Sequence, residues 1–262
     1  MNNVEQTAQL LLERRHSQAT MANIPAEIRP VSQPEAYAAQ DRLIADLLRE
    51  KGGDLIGHKV ACTSEHAQRL LSVSGPFTGR LLAATTHASP ASLPANAFNL
   101  RVIEPEFAFV LAADVPASNT PYDAASILPY LGEFRPAIEV VDHRYDDFTV
   151  VGEYPLIADN AIHGACVLGA PVADWQNLDL AAHPVQLSVN GALYDTGSGA
   201  NVLVSPLNVM AWLANDLQRR GQALHAGDIV ITGVATKTYR AQAGDAVTVD
   251  FGPLGTVAVT FA

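Results

Sequence analysis

The chain has 262 residues, enough for one large domain, and 48% of them are hydrophobic, so a packed core is expected. Its formal net charge is −11. Such a surface repels nucleic acid, anionic membranes and anionic substrates alike, so an acid-binding site here must supply its own positive field.

In chain order, the N-terminus lacks a signal-type apolar core, and no apolar run approaches the ~20 residues of a membrane span. Val4, Ala8, Leu11 and Leu12 recur at helical spacing. A second helix starts near Ser32-Gln33-Pro34, with Ser32 as N-cap, and carries Tyr37, Ile44, Leu47 and Leu48 on one stripe. Gly52-Gly53 ends it. Residues 55–61, 101–111, 137–141, 185–189, 229–231, 246–250 and 256–261 read as strands. Asn190-Gly191, Ala226-Gly227-Asp228 and Ala243-Gly244-Asp245 supply turns. One helix over 206–220, with Val209, Leu213 and Leu217 on one face, interrupts them. The pattern predicts an α+β fold: a mixed β roll or barrel-like sandwich with peripheral helices. It divides into an N-terminal helical segment, 1–53, and a catalytic β-roll domain, 54–262. Cys62 and Cys166 form no CxxC pair and are expected to be reduced, buried thiols in a cytoplasmic protein.

The segment from Arg101 to Leu111 carries the most chemistry. On a strand, Glu104, Glu106, Ala108 and Val110 share one face, while Ile103, Phe107, Phe109 and Leu111 share the other. The two glutamates are then roughly 6.5–7 Å apart at Cα, within reach of one cation. Pro105 cannot donate to a ladder, which predicts an edge or a bulge. Taken alone, this pattern equally fits a solvated strand face. Glu139, inside the apolar run 137–141, is a third acid that needs a partner. Three carboxylates with no obligatory His or Cys suit Mg2+ or Mn2+ better than Zn2+. Asp142 is a fourth candidate, or else a partner of Arg144.

Lys59 lies in a short, mostly apolar strand. Such a lysine either transfers protons in a site or snorkels to the surface. Asp159-Asn160 and Thr232-Gly233 follow apolar runs, and such turns expose backbone N–H groups to a carboxylate. Lys237 suits a distal second carboxylate or is a solvated loop charge. His58, His66, His143 and His163 show no ligand spacing and are expected to be structural or surface residues.

Taken together, several segments resemble the fumarylacetoacetate hydrolase superfamily, in its branch of 2-hydroxypenta-2,4-dienoate hydratases and 4-oxalocrotonate decarboxylases. They are Ala36-Tyr-Ala-Ala-Gln40, Gly57-His-Lys-Val-Ala-Cys-Thr-Ser64, Ile103-Glu-Pro-Glu-Phe-Ala-Phe-Val-Leu111, Ala137-Ile-Glu-Val-Val-Asp142, Ile157-Ala-Asp-Asn160, Pro206-Leu-Asn, Trp212-Leu-Ala-Asn215, Ala226-Gly-Asp-Ile-Val-Ile-Thr-Gly233 and Ala243-Gly-Asp245. Their order and spacing make the set specific, and it covers nearly the whole chain.

The resemblance implies a divalent-metal-dependent lyase acting on a small 2-oxo or 2-hydroxy-dienoic acid in aromatic meta-cleavage catabolism. It also implies a homo-oligomer, in some relatives joined to a paralogous pathway enzyme. The family's metal glutamates fall on Glu104, Glu106 and Glu139 and its strand lysine on Lys59; Ser64, Asn160, Thr232, Gly233 and Lys237 are the expected substrate contacts. Two departures stand out. Phe77 occupies the place of an acid found in hydratases, and Ile162 that of a serine. The expected activity is hydration, with decarboxylation as the alternative. Acylpyruvate-type C–C hydrolysis and a non-catalytic partner subunit are the remaining readings.

Overall fold

Asn2 and Ser32 begin the first two helices of the computed structural model, which describes residues 1–262. In α1 (Asn3–Ser17), Asn2 and Glu5 form a reciprocal capping box. In α2 (Gln33–Lys51), the Ser32 hydroxyl accepts from Glu35 N–H, Pro34 occupies the first turn, and Gly52 ends the helix at φ 70°.

The rest of the chain runs β1 (Leu55–Ala61), α3 (Glu65–Leu71), β2 (Phe77–Leu82), β3 (Thr86–Ala88), β4 (Ala91–Leu93), β5 (Val102–Leu111), α4 (Ala124–Ile127), β6 (Leu131–Val141), α5 (Glu153–Ala158) and β7 (His163–Leu168). It continues with β8 (Pro184–Val189), β9 (Ala192–Ser198), α6 (Pro206–Arg219), β10 (Ile229–Val234), β11 (Tyr239–Arg240), β12 (Ala246–Asp250) and β13 (Thr256–Phe261). An eight-stranded mixed sheet has the order β2-β1-β10-β5-β6-β7-β3, with β11 added to one end of β5. A five-stranded sheet has the order β4-β13-β12-β8-β9. This is the α+β roll with peripheral helices that the strand pattern predicts.

Alternation along β5 sends Phe107 and Phe109 into a core shared with Phe134, Leu187, Val249, Val257 and Phe261 from both sheets. A second cluster joins Leu11, Leu43 and Leu47 of the first two helices to Phe77, Leu82, Val141 and Leu156. The N-terminal helices therefore share their core with the sheet. Phe77, at the place of the hydratase acid, is a fully buried member of that cluster.

β5 is an interior strand between β10 and β6, so of the two expectations, an edge or a bulge, the edge is excluded. The expected irregularity is present on its neighbour, where the β10–β5 register shifts between Ile231 and Val234. The Pro105 carbonyl accepts from Ala235 N–H on that side, so the missing proline N–H falls where the ladder is already broken. Both cysteines are free and buried. No helix is long and apolar enough to cross a membrane.

Candidate metal centre

The register between β5 and β6 puts Glu104 directly opposite Glu139, and Glu106 opposite Ala137. On these two adjacent central strands, Glu104, Glu106 and Glu139 turn to one face. One carboxylate oxygen from each lies within 4.8 Å of the others. Glu106 and Glu139 are fully buried, and Glu104 is half-buried. Ala108, Ala137, Cys166 and Ile231 form an apolar patch beside them. Low polarity there raises the cost of three negative charges unless a cation balances them.

Lys59 supplies one positive charge. It is buried on β1, and Nζ donates to Glu139 at 3.0 Å. Burial alone would depress its pKa, but Glu139, Glu104 and Glu106 outweigh it and raise the value, so Lys59 is an ammonium at neutral pH. Burial likewise works against ionised Glu139, but Lys59 and a hydrogen bond from His163 win and lower its pKa to about 2. The other two acids go the opposite way. Burial and the neighbouring Glu139 charge raise Glu104 to about 7 and push Glu106 well above its ordinary value. One lysine therefore compensates one carboxylate and leaves the other two with raised pKa values.

Glu106 Oε2 accepts from Gly233 N–H at 2.6 Å, whereas its Oε1 is buried without a hydrogen-bond partner. A buried, unpartnered carboxylate oxygen facing two more carboxylates is what a hard cation satisfies. The donor set therefore fits a divalent metal ion held by Glu104, Glu106 and Glu139.

The other sequence candidates lie at varied distances from this centre. Gly233 belongs to it through the bond to Glu106 and has φ 101°. A Cβ at this position would stand 1.9 Å from Thr63 Oγ1, so only glycine fits. Thr232 Oγ1 donates to the Phe107 carbonyl and pins the same irregular stretch of β10. Ser64 caps α3, its hydroxyl accepting from Ala67 N–H. The Asn160 carboxamide is spent on both backbone groups of Arg80. Lys237 is exposed, with Nζ 3.5 Å from Asp195.

Asp142 is not a further ligand candidate. It accepts from Leu100 N–H and pairs with Arg144 at 2.9 Å, and Arg144 also pairs with Asp159. A cleft of about 260 Å³ lined by Arg15, Lys51, Arg144 and Asn160 does not include the acid cluster; His163 also lines it and connects the two.

His163 is the residue that sequence reasoning missed. It is buried, so it is not a surface residue, and Nδ1 lies 2.7 Å from Glu139 Oε1. His–Cys–acid spacing carries no trace of this contact. The signal is Gly164, which follows His163 at the start of β7.

The Fumarylacetoacetate (FAA) hydrolase C-terminal family model matches residues 60–262. The chain is 32% identical over 260 residues to a 2-keto-4-pentenoate hydratase of Paraburkholderia phymatum, covering 99% of this chain and 98% of that protein. It is 31% identical over 260 residues to a 2-oxo-hept-4-ene-1,7-dioate hydratase of Escherichia coli, covering 97% and 96%. Among solved structures, it is similar to 4-oxalocrotonate decarboxylase from Pseudomonas putida G7 complexed with magnesium and adipate. The TM-score there is 0.91 at 25% identity, covering 99% of this chain and 97% of that one.

Proposed function

The chain belongs to the fumarylacetoacetate hydrolase family, and from that premise we propose that it is a Mg2+-dependent hydratase of a small 2-oxo or 2-hydroxy-dienoic acid. The observation that carries this reading is the cluster of Glu104, Glu106 and Glu139 with Lys59 bonded to one of its members. The full-length hydratase relatives support the reaction class, and the magnesium in the similar decarboxylase supports the metal. Mn2+ meets the same all-oxygen demand and belongs to the same proposal.

Glu104, Glu106 and Glu139 would hold the ion. When bound, it supplies Lewis-acid stabilisation of negative charge developing on a substrate oxygen. Lys59 Nζ is fixed by its bond to Glu139, where as general acid–base it would give a proton to substrate and take one back. For a 2-hydroxydienoate, the enol O–H proton is lost and a proton is gained at the far carbon, giving a conjugated ketone. One water then adds its H and OH across the remaining carbon–carbon double bond, and the proton released from the enol returns to the neutral amine left on Lys59. Ala108, Ala137 and Ile231 keep the flank of the acid cluster free of polar competitors, which strengthens each charge interaction.

A second reading, decarboxylation of a vinylogous β-keto acid, is favoured by one observation. Phe77, where a water-activating acid is expected for hydration, is buried in the core and contributes no polar atom. Loss of CO2 needs no activated water. The proposal also includes a homo-oligomer, supported by exposed apolar side chains at Val31, Leu70, Val150, Leu193 and Val204.

The test is a spectrophotometric assay with Mg2+ of 2-hydroxypenta-2,4-dienoate and of 4-oxalocrotonate. Metal-dependent loss of dienol absorbance without CO2 release supports hydration. CO2 release from the dicarboxylate moves the assignment to decarboxylation, and inertness towards both substrates contradicts both readings.

A further inference from the structure

β7 enters the sheet beside β6 with a defect at its first residues. Cys166 stands opposite Glu139 and Ala165 opposite Val140, but Val141 then pairs with His163, skipping Gly164. Strict alternation from Cys166 would put His163 on the opposite face from Glu139. The extra residue restores it to the same face, which is what a β-bulge does to a side chain. Gly164 is the residue that permits this. A Cβ there would lie 2.7 Å from the Val140 carbonyl and 2.9 Å from Asp142 Cβ.

The turn before His163 is fixed from several sides. Asn160, Ala161 and Ile162 have φ of 55°, 50° and 55°, a left-handed run that is costly for a β-branched isoleucine. The Asn160 carboxamide bonds both backbone groups of Arg80, Ile162 N–H donates to the Asp159 carbonyl, and the Ile162 carbonyl accepts from Asp142 N–H. The surroundings therefore over-determine the backbone that delivers the imidazole.

Nδ1 lies 2.7 Å from Glu139 Oε1. A carboxylate only accepts, so Nδ1 carries the proton and donates it. Nε2 is buried and has no hydrogen-bond partner. The imidazole therefore makes one polar contact, and that contact is to the acid shared with Lys59.

We propose that His163 is a positioning residue for the metal centre: its Nδ1–H holds the Glu139 carboxylate in the rotation at which it serves Lys59 and the cation together. This rests on the metal-centre reading above. Without the bond, Glu139 keeps only Lys59 and turns toward it, away from Glu104 and Glu106. Hydrogen bonds that orient metal-ligating side chains typically account for about 10- to 100-fold in metal affinity.

The test compares His163→Asn, His163→Gln and His163→Leu in the full-length chain. His163→Asn places a carboxamide N–H close to where Nδ1–H stands, whereas His163→Gln reaches the position of Nε2. Mg2+ affinity is read by isothermal titration calorimetry, with no substrate involved. His163→Gln and His163→Leu are expected to bind Mg2+ about 10- to 100-fold more weakly, and His163→Asn to recover most of that loss. Turnover of the two weak binders should need a higher Mg2+ concentration for half-maximal rate than the wild type, by a factor that matches the loss of affinity. If His163→Gln and His163→Asn both bind Mg2+ like the wild type, the proposal is overturned while the metal-centre reading stands. Absence of Mg2+ uptake by the wild type overturns both. Melting of the metal-free variants separates these results from loss of fold; equal destabilisation with unchanged affinity also counts against the proposal.

Discussion

Glu104 and Glu139 face each other directly across the β5–β6 ladder, two carboxylates at one register position of an interior sheet. Like charges directly opposite one another destabilise a sheet, and burial adds to the cost. Without metal, protons on Glu104 and Glu106 relieve the cost, together with Lys59 and His163 on Glu139. A divalent cation relieves it more completely, and the predictions below follow from exchanging protons for metal.

Glu106→Gln removes the acid whose second oxygen has no partner. Metal-dependent turnover is expected to vanish while the metal-free fold melts at or above the wild-type temperature, because the fold no longer has to protonate a buried carboxyl at this position. Wild type should gain about 2.7 kcal/mol of stability at a Mg2+ concentration about 100 times its Kd, and the variant should gain almost none. Thermal melts with and without Mg2+ read both effects. Full activity in the variant would rule out this centre.

Lys59→Met takes away the proposed proton donor but none of the three carboxylates. Turnover should fall by roughly 10²- to 10⁴-fold, with Mg2+ still bound. The metal-free variant should also be destabilised, since Glu139 loses its buried counter-ion, and Mg2+ should restore part of that loss. Unchanged turnover would make Lys59 structural.

The raised acids set the direction of the pH dependence. Burial, with Glu139 second, lifts Glu104 from 4.5 to about 7 and lifts Glu106 further. A carboxyl raised in the fold contributes stability that is fully present below its unfolded pKa and lost as pH rises through the folded value. Metal-free stability should therefore fall between about pH 4.5 and 7 from this source, and Mg2+ affinity should rise over the same window and beyond. Calorimetry at pH 6 in buffers of different ionisation enthalpy should detect proton release on metal uptake. Affinity that weakens with rising pH would contradict this account.

Arg144 is buried between Asp142 and Asp159, and Arg15 also pairs with Asp159 at 2.8 Å. Arg144→Met leaves two buried acids short of a cation at the base of the left-handed turn. A loss of about 3–5 kcal/mol is expected, seen as a lower urea midpoint at unchanged slope. A shift of less than about 1 kcal/mol would mean that Arg15 alone compensates both acids.

Much of this architecture is legible in the residues. The Ser32 cap, Pro34 and Gly52 frame α2, and the 3.6-residue stripe of Val209, Leu213 and Leu217 marks α6. Alternation across 103–111 correctly assigns Glu104 and Glu106 to one face and Phe107 and Phe109 to the core. Residues whose placement depends on a partner strand were harder to read. β2, with Phe-Thr-Gly-Arg-Leu-Leu, has no clean alternation, because five of its six residues are buried. Pro105 fits an edge or a bulge alike, and what decides for the bulge lies on β10, far away in sequence. His163 faces the metal centre through a bulge that strand periodicity hides, and Asn160 is drawn into a backbone clamp by Arg80, 80 residues earlier in the chain.

The most direct measurement is a crystal of the wild-type protein grown with Mn2+, with diffraction collected at the manganese absorption edge. One anomalous peak should lie among Glu104, Glu106 and Glu139, with an oxygen from each at roughly 2.0–2.2 Å. A peak elsewhere, or no peak with the three carboxylates turned apart, would contradict the metal centre from which the proposed function follows.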